Sequence, residues 1–234
     1  MNISVVIPAL NESENIQNCI NSLKAQTRKP DQIIVIDNES DDNTAEIARA
    51  HGATVLSYPR PELWFGNVGL VRQKGVQAAH GDVIVSTDAD FTHPKDYLAK
   101  VEQHFRENPK LVVLGGPIFL SNPDPWSDFL LNCANFHRGF WSNMGYPQFW
   151  GGNTSFRKNA FMLTEGYKGA AAHGPVEEWI MSLRLSRVGE ALWSEDVYSF
   201  TKLAEYSRAY FHAIPLSVAP LGALAGLAAL AGGA

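Results

Sequence analysis

The feature that most constrains this chain is a series of short segments, apolar almost without interruption, set between stretches with helical spacing. ISVVIP (3–8), QIIVID (32–37), ATVLSY (53–58), DVIVSTD (82–88) and LVVLGGP (111–117) are the candidate strands. Between them Ile16, Cys19, Ile20 and Leu23 fall at i, i+3, i+4 and i+7, and Leu98, Val101 and Phe105 continue the helical spacing. A strand with one wet face alternates apolar and polar residues. Near-continuous apolar strands need cover on both faces, which helices crossing over a parallel sheet supply. The expectation is an α/β fold with a mixed, mainly parallel sheet flanked by helices.

Start signals agree with that reading. Asn11 stands three residues before Glu14 and Asn43 three before Glu46, as in capping boxes, and Pro94 suits the first turn of the helix that follows it. The second half is less regular. Residues 122–150 are rich in Trp, Phe, Asn and Pro, with a helix expected around 125–141, a strand within 149–157 and a helix over 175–188. No internal repeat or linker appears. One domain is expected over 1–212, regular to about 117 and irregular from 118 onward.

Residues 213–234 carry no charge over 22 positions, close to the roughly 20 that span a bilayer as a helix. Ala and Gly dominate there, Pro215 and Pro220 interrupt, and no Lys or Arg follows. Membrane contact and a packed or disordered terminus both stay open. A formal net charge of −5 gives no basic footprint for nucleic acid. Cys19 and Cys133 lack CxxC spacing, and the opening MNISVVIPALNE has no basic n-region, so it reads as a first strand. Reduced thiols in the cytoplasm, peripheral to a membrane if the tail makes contact, are the matching expectation.

Open α/β sheets bind ligands outside the carboxyl ends of their strands. Those ends carry Ala9-Leu10-Asn11-Glu12, Asp37-Asn38-Glu39-Ser40 and Asp88-Ala89-Asp90, while GxGxxG after the first strand and GxxxxGK[ST] are both absent. Two hard oxygen ligands at Asp88 and Asp90 suit Mg2+ or Mn2+, with substrate phosphates completing the shell. The plainer alternative is one aspartate capping the next helix and one facing water.

In order and spacing, SVVIPALNESENI, IIVIDNESDDNTAEIA, VRQKGVQAAHGDVIVSTDAD, GGNTSFRKNAF and EEWIMSLRLSRVG resemble the family 2 inverting glycosyltransferases of the GT-A (Rossmann-like) fold, over roughly residues 2–190. The resemblance implies a nucleotide-binding half to about 117 and an acceptor-side half beyond it. It implies a nucleotide-diphosphate sugar donor and a divalent ion. Pro8, Ala9, Asn11 and Glu12 match the loop against the donor nucleotide, with Glu12 on base or ribose. Asp37 and Asn38 match an acidic pair in which Asp37 meets the base; Asn38 departs from the usual second Asp. Arg72 matches the arginine of an ARN-like stretch, with Gln73 in place of its asparagine and Lys74 beside it; it faces either the diphosphate or solvent. Asp88, Ala89 and Asp90 match the DXD motif, its two carboxylates on the metal.

The family places its general base in a Glu-Asp pair opening a helix, and Glu177-Glu178 stand there, with Glu178 at the Asp position. Val176, Trp179, Ile180 and Leu183 form an apolar stripe with Glu178 nearly opposite and Leu185 on its side, so Glu178 borders either a cleft or plain solvent. Gly151-Gly152-Asn153 resembles the stretch under the donor sugar and acceptor. His173 is a weaker candidate metal ligand, and Trp126, Trp141, Trp150 and Trp179 are candidate sugar platforms or core residues. The acceptor is open between a glycan, a lipid-linked molecule and a small molecule. Rival readings are a polyprenyl-phosphate glycosyltransferase of the dolichol-phosphate mannose synthase branch, a catalytically silent nucleotide-sugar binding module, and a nucleotidyltransferase. The last would want the glycine-rich, basic first loop that PALNESEN lacks.

Overall fold

A computed structural model describes residues 1–60, 68–168 and 177–202. In chain order the elements are β1 (Ile3–Ala9), α1 (Ile16–Lys24), β2 (Gln32–Asp37), α2 (Thr44–Ala50), β3 (Thr54–Ser57), α3 (Val68–Ala78), β4 (Val83–Ser86), β5 (Phe91–Thr92) and α4 (Tyr97–Glu107). Then follow β6 (Leu111–Gly115), β7 (Ile118–Leu120), α5 (Pro125–Asn143), β8 (Thr154–Arg157), α6 (Lys158–Met162), α7 (Glu177–Ser186), β9 (Glu190–Trp193) and β10 (Ser199–Thr201). The main sheet runs β3-β2-β1-β4-β8-β6-β9, and β8 alone is antiparallel to its neighbours. A small sheet, β5-β10-β7, stands beside it.

Strand alternation sorts side chains between two cores. Ile3, Val5 and Ile7 face the layer made by Ile16, Cys19, Ile20 and Leu23 of α1 and Leu98, Val101 and Phe105 of α4. Val6, Ile34, Ile36 and Ile84 face Val71 and Val76 of α3, Phe161 of α6, and Met181 and Leu185 of α7. Helices on both faces are why the strands read as continuous apolar runs.

Several local expectations are corrected. Neither capping box forms: α1 starts at Ile16, and Asn11 instead sits at φ 56 with its side chain accepting from the Asp41 N–H at 2.8 Å. Asn43 precedes α2 without a side-chain cap. The adjacent Asp42 does that work, accepting from Thr44 N at 3.0 Å and Ser13 N at 3.1 Å. Burial opposes ionisation of Asp42, but those hydrogen bonds outweigh it and hold the carboxyl at about 2. Helix α4 begins at Tyr97, past Pro94, because Gln26 from the end of α1 takes over the start. Its amide donates to Pro94 O at 2.6 Å and accepts from Leu98 N at 3.0 Å. Within 149–157 only Thr154–Arg157 is strand, since Trp150 to Asn153 close a turn with Asn153 N on Trp150 O at 3.0 Å. The apolar tail 213–234 lies outside the described residues.

Candidate active site

Strand β2 lies on one side of β1 and β4 on the other. The chain order therefore reverses at β1, and the crevice at the carboxyl ends of these strands is where such sheets take ligands. The three polar strand ends converge there: Ala9 pairs with Asp37, Val6 pairs with Ser86, and Asp88 follows two residues on.

On the β1–β2 side, Pro8 and Ala9 finish β1, and Ala9 O accepts from Asn38 N at 2.9 Å. Asn11 adopts its left-handed conformation while its N–H donates to Ser40 Oγ at 3.0 Å, tying the two loops together. The Glu12 carboxylate accepts from Asn15 Nδ2 at 2.9 Å. Burial, reinforced by Asp88 and Asp42, raises the Glu12 carboxyl above its ordinary range against that hydrogen bond. Asp37 is buried, and its Oδ1 has no hydrogen-bond partner among the described residues. The Asn38 side-chain amide lies against Tyr58 O and Pro59 O, and with its nitrogen assigned to that side it donates to them at 3.1 Å and 3.0 Å. An aspartate would meet two carbonyls there with nothing to donate, which accounts for the amide.

Arg72 does not face solvent. It is 2% exposed. Its Nη1 donates to Ser86 Oγ at 2.7 Å, its Nη2 to Asp88 Oδ1 at 2.5 Å, and its Nε lies 3.5 Å from Glu178 Oε1. The neighbouring Gln73 accepts from Tyr167 N at 3.0 Å, and Lys74 is exposed. One guanidinium thus joins Asp88 at the strand end to Glu178 at the start of α7.

The members of each acidic pair part company. Asp90 Oδ2 accepts from Thr201 Oγ1 at 2.7 Å, and burial with help from Asp88 pushes its carboxyl up to about 6. Ala89 between them is buried in the core. Glu178 is half-buried beside Arg72; burial raises its carboxyl and Arg72 opposes the rise. Glu177 is buried, takes a hydrogen bond from the Gly69 backbone, and leaves Oε2 without a partner among the described residues. Burial first, then Glu178, push Glu177 up to about 7. The buried side of α7 is Glu177, Ile180, Met181, Ser182 and Leu185, a rotation from the expected stripe that sets Glu178 against Arg72 and Gly151.

Gly151 and Gly152 fit between the two pairs. A Cβ on Gly152 would lie 2.6 Å from Asp88 Oδ2, and one on Gly151 would strike Glu178 Oε1. Only glycines leave this approach open.

His93 belongs to the interior. Thr87 Oγ1 meets its Nε2 at 3.0 Å and Ser199 Oγ its Nδ1 at 2.9 Å, and burial drives its pKa down to about 3. His173 lies outside the described residues. Of the four tryptophans, Trp150 and Trp179 approach the site through Arg138, whose guanidinium carbon is 3.6 Å and 5.2 Å from their ring centroids. Trp141 bonds His137 at 2.9 Å, and Trp126 is exposed, both elsewhere on α5. Sequence reasoning missed Arg138, Ser86, Tyr167 and Thr201. Only contacts across the fold reveal them, such as the 111 residues between Asp90 and Thr201.

The sheet order, with its acidic strand end in the crevice, is that of the GT-A fold. The profile described as glycosyl transferase family 2 matches residues 4–163, and the chain belongs to that family. It is similar to glycosyltransferase AglE of Haloferax volcanii, 31% identical over 104 residues, covering 42% of this chain and 33% of that one. It is also similar to 4,4'-diaponeurosporenoate glycosyltransferase of Staphylococcus haemolyticus, 27% identical over 182 residues, covering 73% of this chain and 48% of that one. The chain therefore spans a third to a half of these relatives. Among solved structures, a mannosyltransferase from Pyrobaculum calidifontis in complex with GDP-Man and Mn2+ superposes with a TM-score of 0.68 at 17% identity, covering 100% of this chain and 76% of that one. Glucosyl-3-phosphoglycerate synthase from Mycobacterium tuberculosis, with Mn2+, UDP and glucosyl-3-phosphoglycerate, gives 0.62 at 20% identity, covering 98% and 78%.

Proposed function

We propose that this chain transfers a sugar from a nucleoside-diphosphate sugar to an acceptor hydroxyl, inverting the anomeric carbon, with Glu178 as general base. The observation that carries the reading is the convergence of Asp88 and Glu178 on Arg72 across Gly151-Gly152. A charged diphosphate end and a proton acceptor on opposite sides of the sugar are what inverting transfer requires.

The unpartnered Asp37 Oδ1 suits an N–H of the nucleotide base, and Glu12, in the loop that follows the paired β1 end, would meet base or ribose. Asp88 and Asp90 would hold a divalent cation, Mn2+ or Mg2+. They fit it, because two crowded carboxylates, one already driven toward protonation, are relieved by a cation. No group of three or more candidate ligands occurs among the described residues, so donor oxygens and water would complete the shell. When bound, such an ion supplies countercharge to the departing diphosphate.

The chain's own groups do the rest. Glu178 accepts the proton of the attacking hydroxyl. Arg72 favours its ionised form and fixes Asp88, and the two glycines let sugar and acceptor approach the backbone. The mannosyltransferase and the glucosyl-3-phosphoglycerate synthase carry Mn2+ with GDP-Man and with UDP in their structures, which supports the donor class. A phosphate acceptor would need no base, so a carboxylate held beside Arg72 favours a hydroxyl.

Thermal unfolding with UDP, GDP and their sugars, with and without Mn2+, tests the donor site. A stabilisation that needs both nucleotide and metal is expected. No shift with any donor would remove the reading.

A further inference from the structure

Helix α5 is packed on its inner side and apolar on its outer side as well. Ser127, Leu131, Asn135, Arg138 and Gly139 are buried against the fold. Trp126, Phe129, Phe136, Phe140 and Met144, with Tyr146 just beyond, are exposed, Phe136 to 76%. Successive members are three, seven, four and four residues apart, so they form one stripe. A surface helix ordinarily turns charge outward. Here the only charged residues between Pro125 and Asn143 are Asp128 and Arg138, and Arg138 is buried. Trp126 stacks on Phe129 at 5.9 Å and Phe136 on Phe140 at 6.5 Å, rings lying along the surface. With about 200 Å² per large side chain, the exposed parts amount to roughly 700 Å², above the ~300–600 Å² of the largest patch on an ordinary monomer.

We propose that this face is a docking site for an uncharged lipid surface, with α5 lying in the plane of the bilayer. No helix among the described residues is long and apolar enough to cross a membrane, so the contact is lateral. Trp126 marks one end of the stripe and Trp141 and Tyr146 the other, with phenylalanines between. In a helix lying in the plane these rings share one depth, the indole and phenol edges reaching the headgroups while the phenyl rings enter the acyl boundary. The stripe presents no exposed lysine or arginine, so it complements the glycerol and acyl region of zwitterionic lipid and not an anionic headgroup layer.

The last described strand, β10, runs beside the loop that leads into α5. Thr201 pairs with Leu120, and Ser121 N donates to Thr201 O at 2.8 Å, four residues before α5 begins. The sequence beyond includes the 22 uncharged residues 213–234. A second copy of the chain would cover the stripe and leave that composition without a reason. A lipid surface suits both.

Flotation of the full chain with phosphatidylcholine vesicles tests the proposal. Binding that persists in high salt is expected, and Phe136→Glu/Phe140→Glu should cut the bound fraction by about tenfold or more. Trp126→Ser/Phe129→Ser, at the other end, should weaken it too. Cys133 is exposed on α5 and Cys19 is buried, so a thiol-reactive fluorophore on Cys133 should shift to the blue when vesicles are added. The proposal fails if the protein does not float, if it binds only anionic vesicles and salt releases it, or if both double variants float like the wild type. A dimer that the Phe136→Glu/Phe140→Glu variant dissociates, with no vesicle binding, would assign the face to a second copy instead. Melting temperatures and nucleotide-dependent stabilisation unchanged in the variants keep a loss of binding from being a loss of fold.

Discussion

The strand-end pair Asp88/Asp90 and the helix-start pair Glu177/Glu178 are built on one plan. In each, one carboxylate meets Arg72 and its partner is drawn elsewhere, Asp90 to Thr201 and Glu177 to the Gly69 backbone. In each, the residue drawn away is driven toward protonation, Asp90 to about 6 and Glu177 to about 7, by burial before anything else. The pairs differ in access. Asp88 is the more exposed of Arg72's two partners, with a side chain 33% accessible against 14% for Glu178. An arginine fork can serve two carboxylates of different exposure, so one buried cation ties the strand-end pair to the helix-start pair.

Breaking the exposed pair should have the largest effect. Asp88→Asn removes a carboxylate from the donor side and should lower turnover on the order of a thousandfold, read as nucleoside diphosphate release at saturating donor. If turnover is unchanged, the strand-end pair is not part of the reaction.

Next comes the link itself. Arg72→Met should lower turnover by roughly a hundredfold or more. It should also move the acid limb of the pH profile upward, since Arg72 lowers the Glu178 carboxyl and its loss lets burial raise it further. The rate falls as pH drops through the base's pKa, so the variant loses activity at a higher pH than wild type. Arg72→Lys keeps the charge without the fork and should sit between. Identical acid limbs in all three would separate Arg72 from Glu178.

The smallest effect is on stability. Glu177 keeps its proton to a higher pH folded than unfolded, so its burial costs nothing below about pH 4.5, and the cost grows as pH rises through about 7. Glu177→Gln should therefore be more stable than wild type at pH 8, on the order of 1–2 kcal/mol, with the gap closing by pH 4.5. A variant that is less stable at pH 8 would mean the ionised carboxylate is a structural anchor.

Much of the scaffold was legible because its signal is local. The apolar runs at 3–8 and 32–37 form strands within one residue of their expected ends, and the three acidic or amide-rich strand ends share one edge. The Asp88/Asp90 and Glu177/Glu178 pairs were visible as residues. Their division of labour was not, because it depends on contacts across the fold. Arg72 was legible as a candidate, facing either diphosphate or solvent, but its partners Ser86, Asp88 and Glu178 were not. Helix starts misled for a related reason. Asn11 and Pro94 carry cap-like signals, yet Asp41 and Gln26, from distant segments, offer their backbone and side chains better partners.

The most direct test of the central claim is the rate of sugar transfer by Glu178→Gln, measured beside donor binding in the same variant. The account predicts a loss of about a hundred- to ten-thousandfold in turnover with donor affinity retained. Wild-type transfer by Glu178→Gln, with Asp88→Asn inactive, would contradict it and point to an acceptor that needs no base.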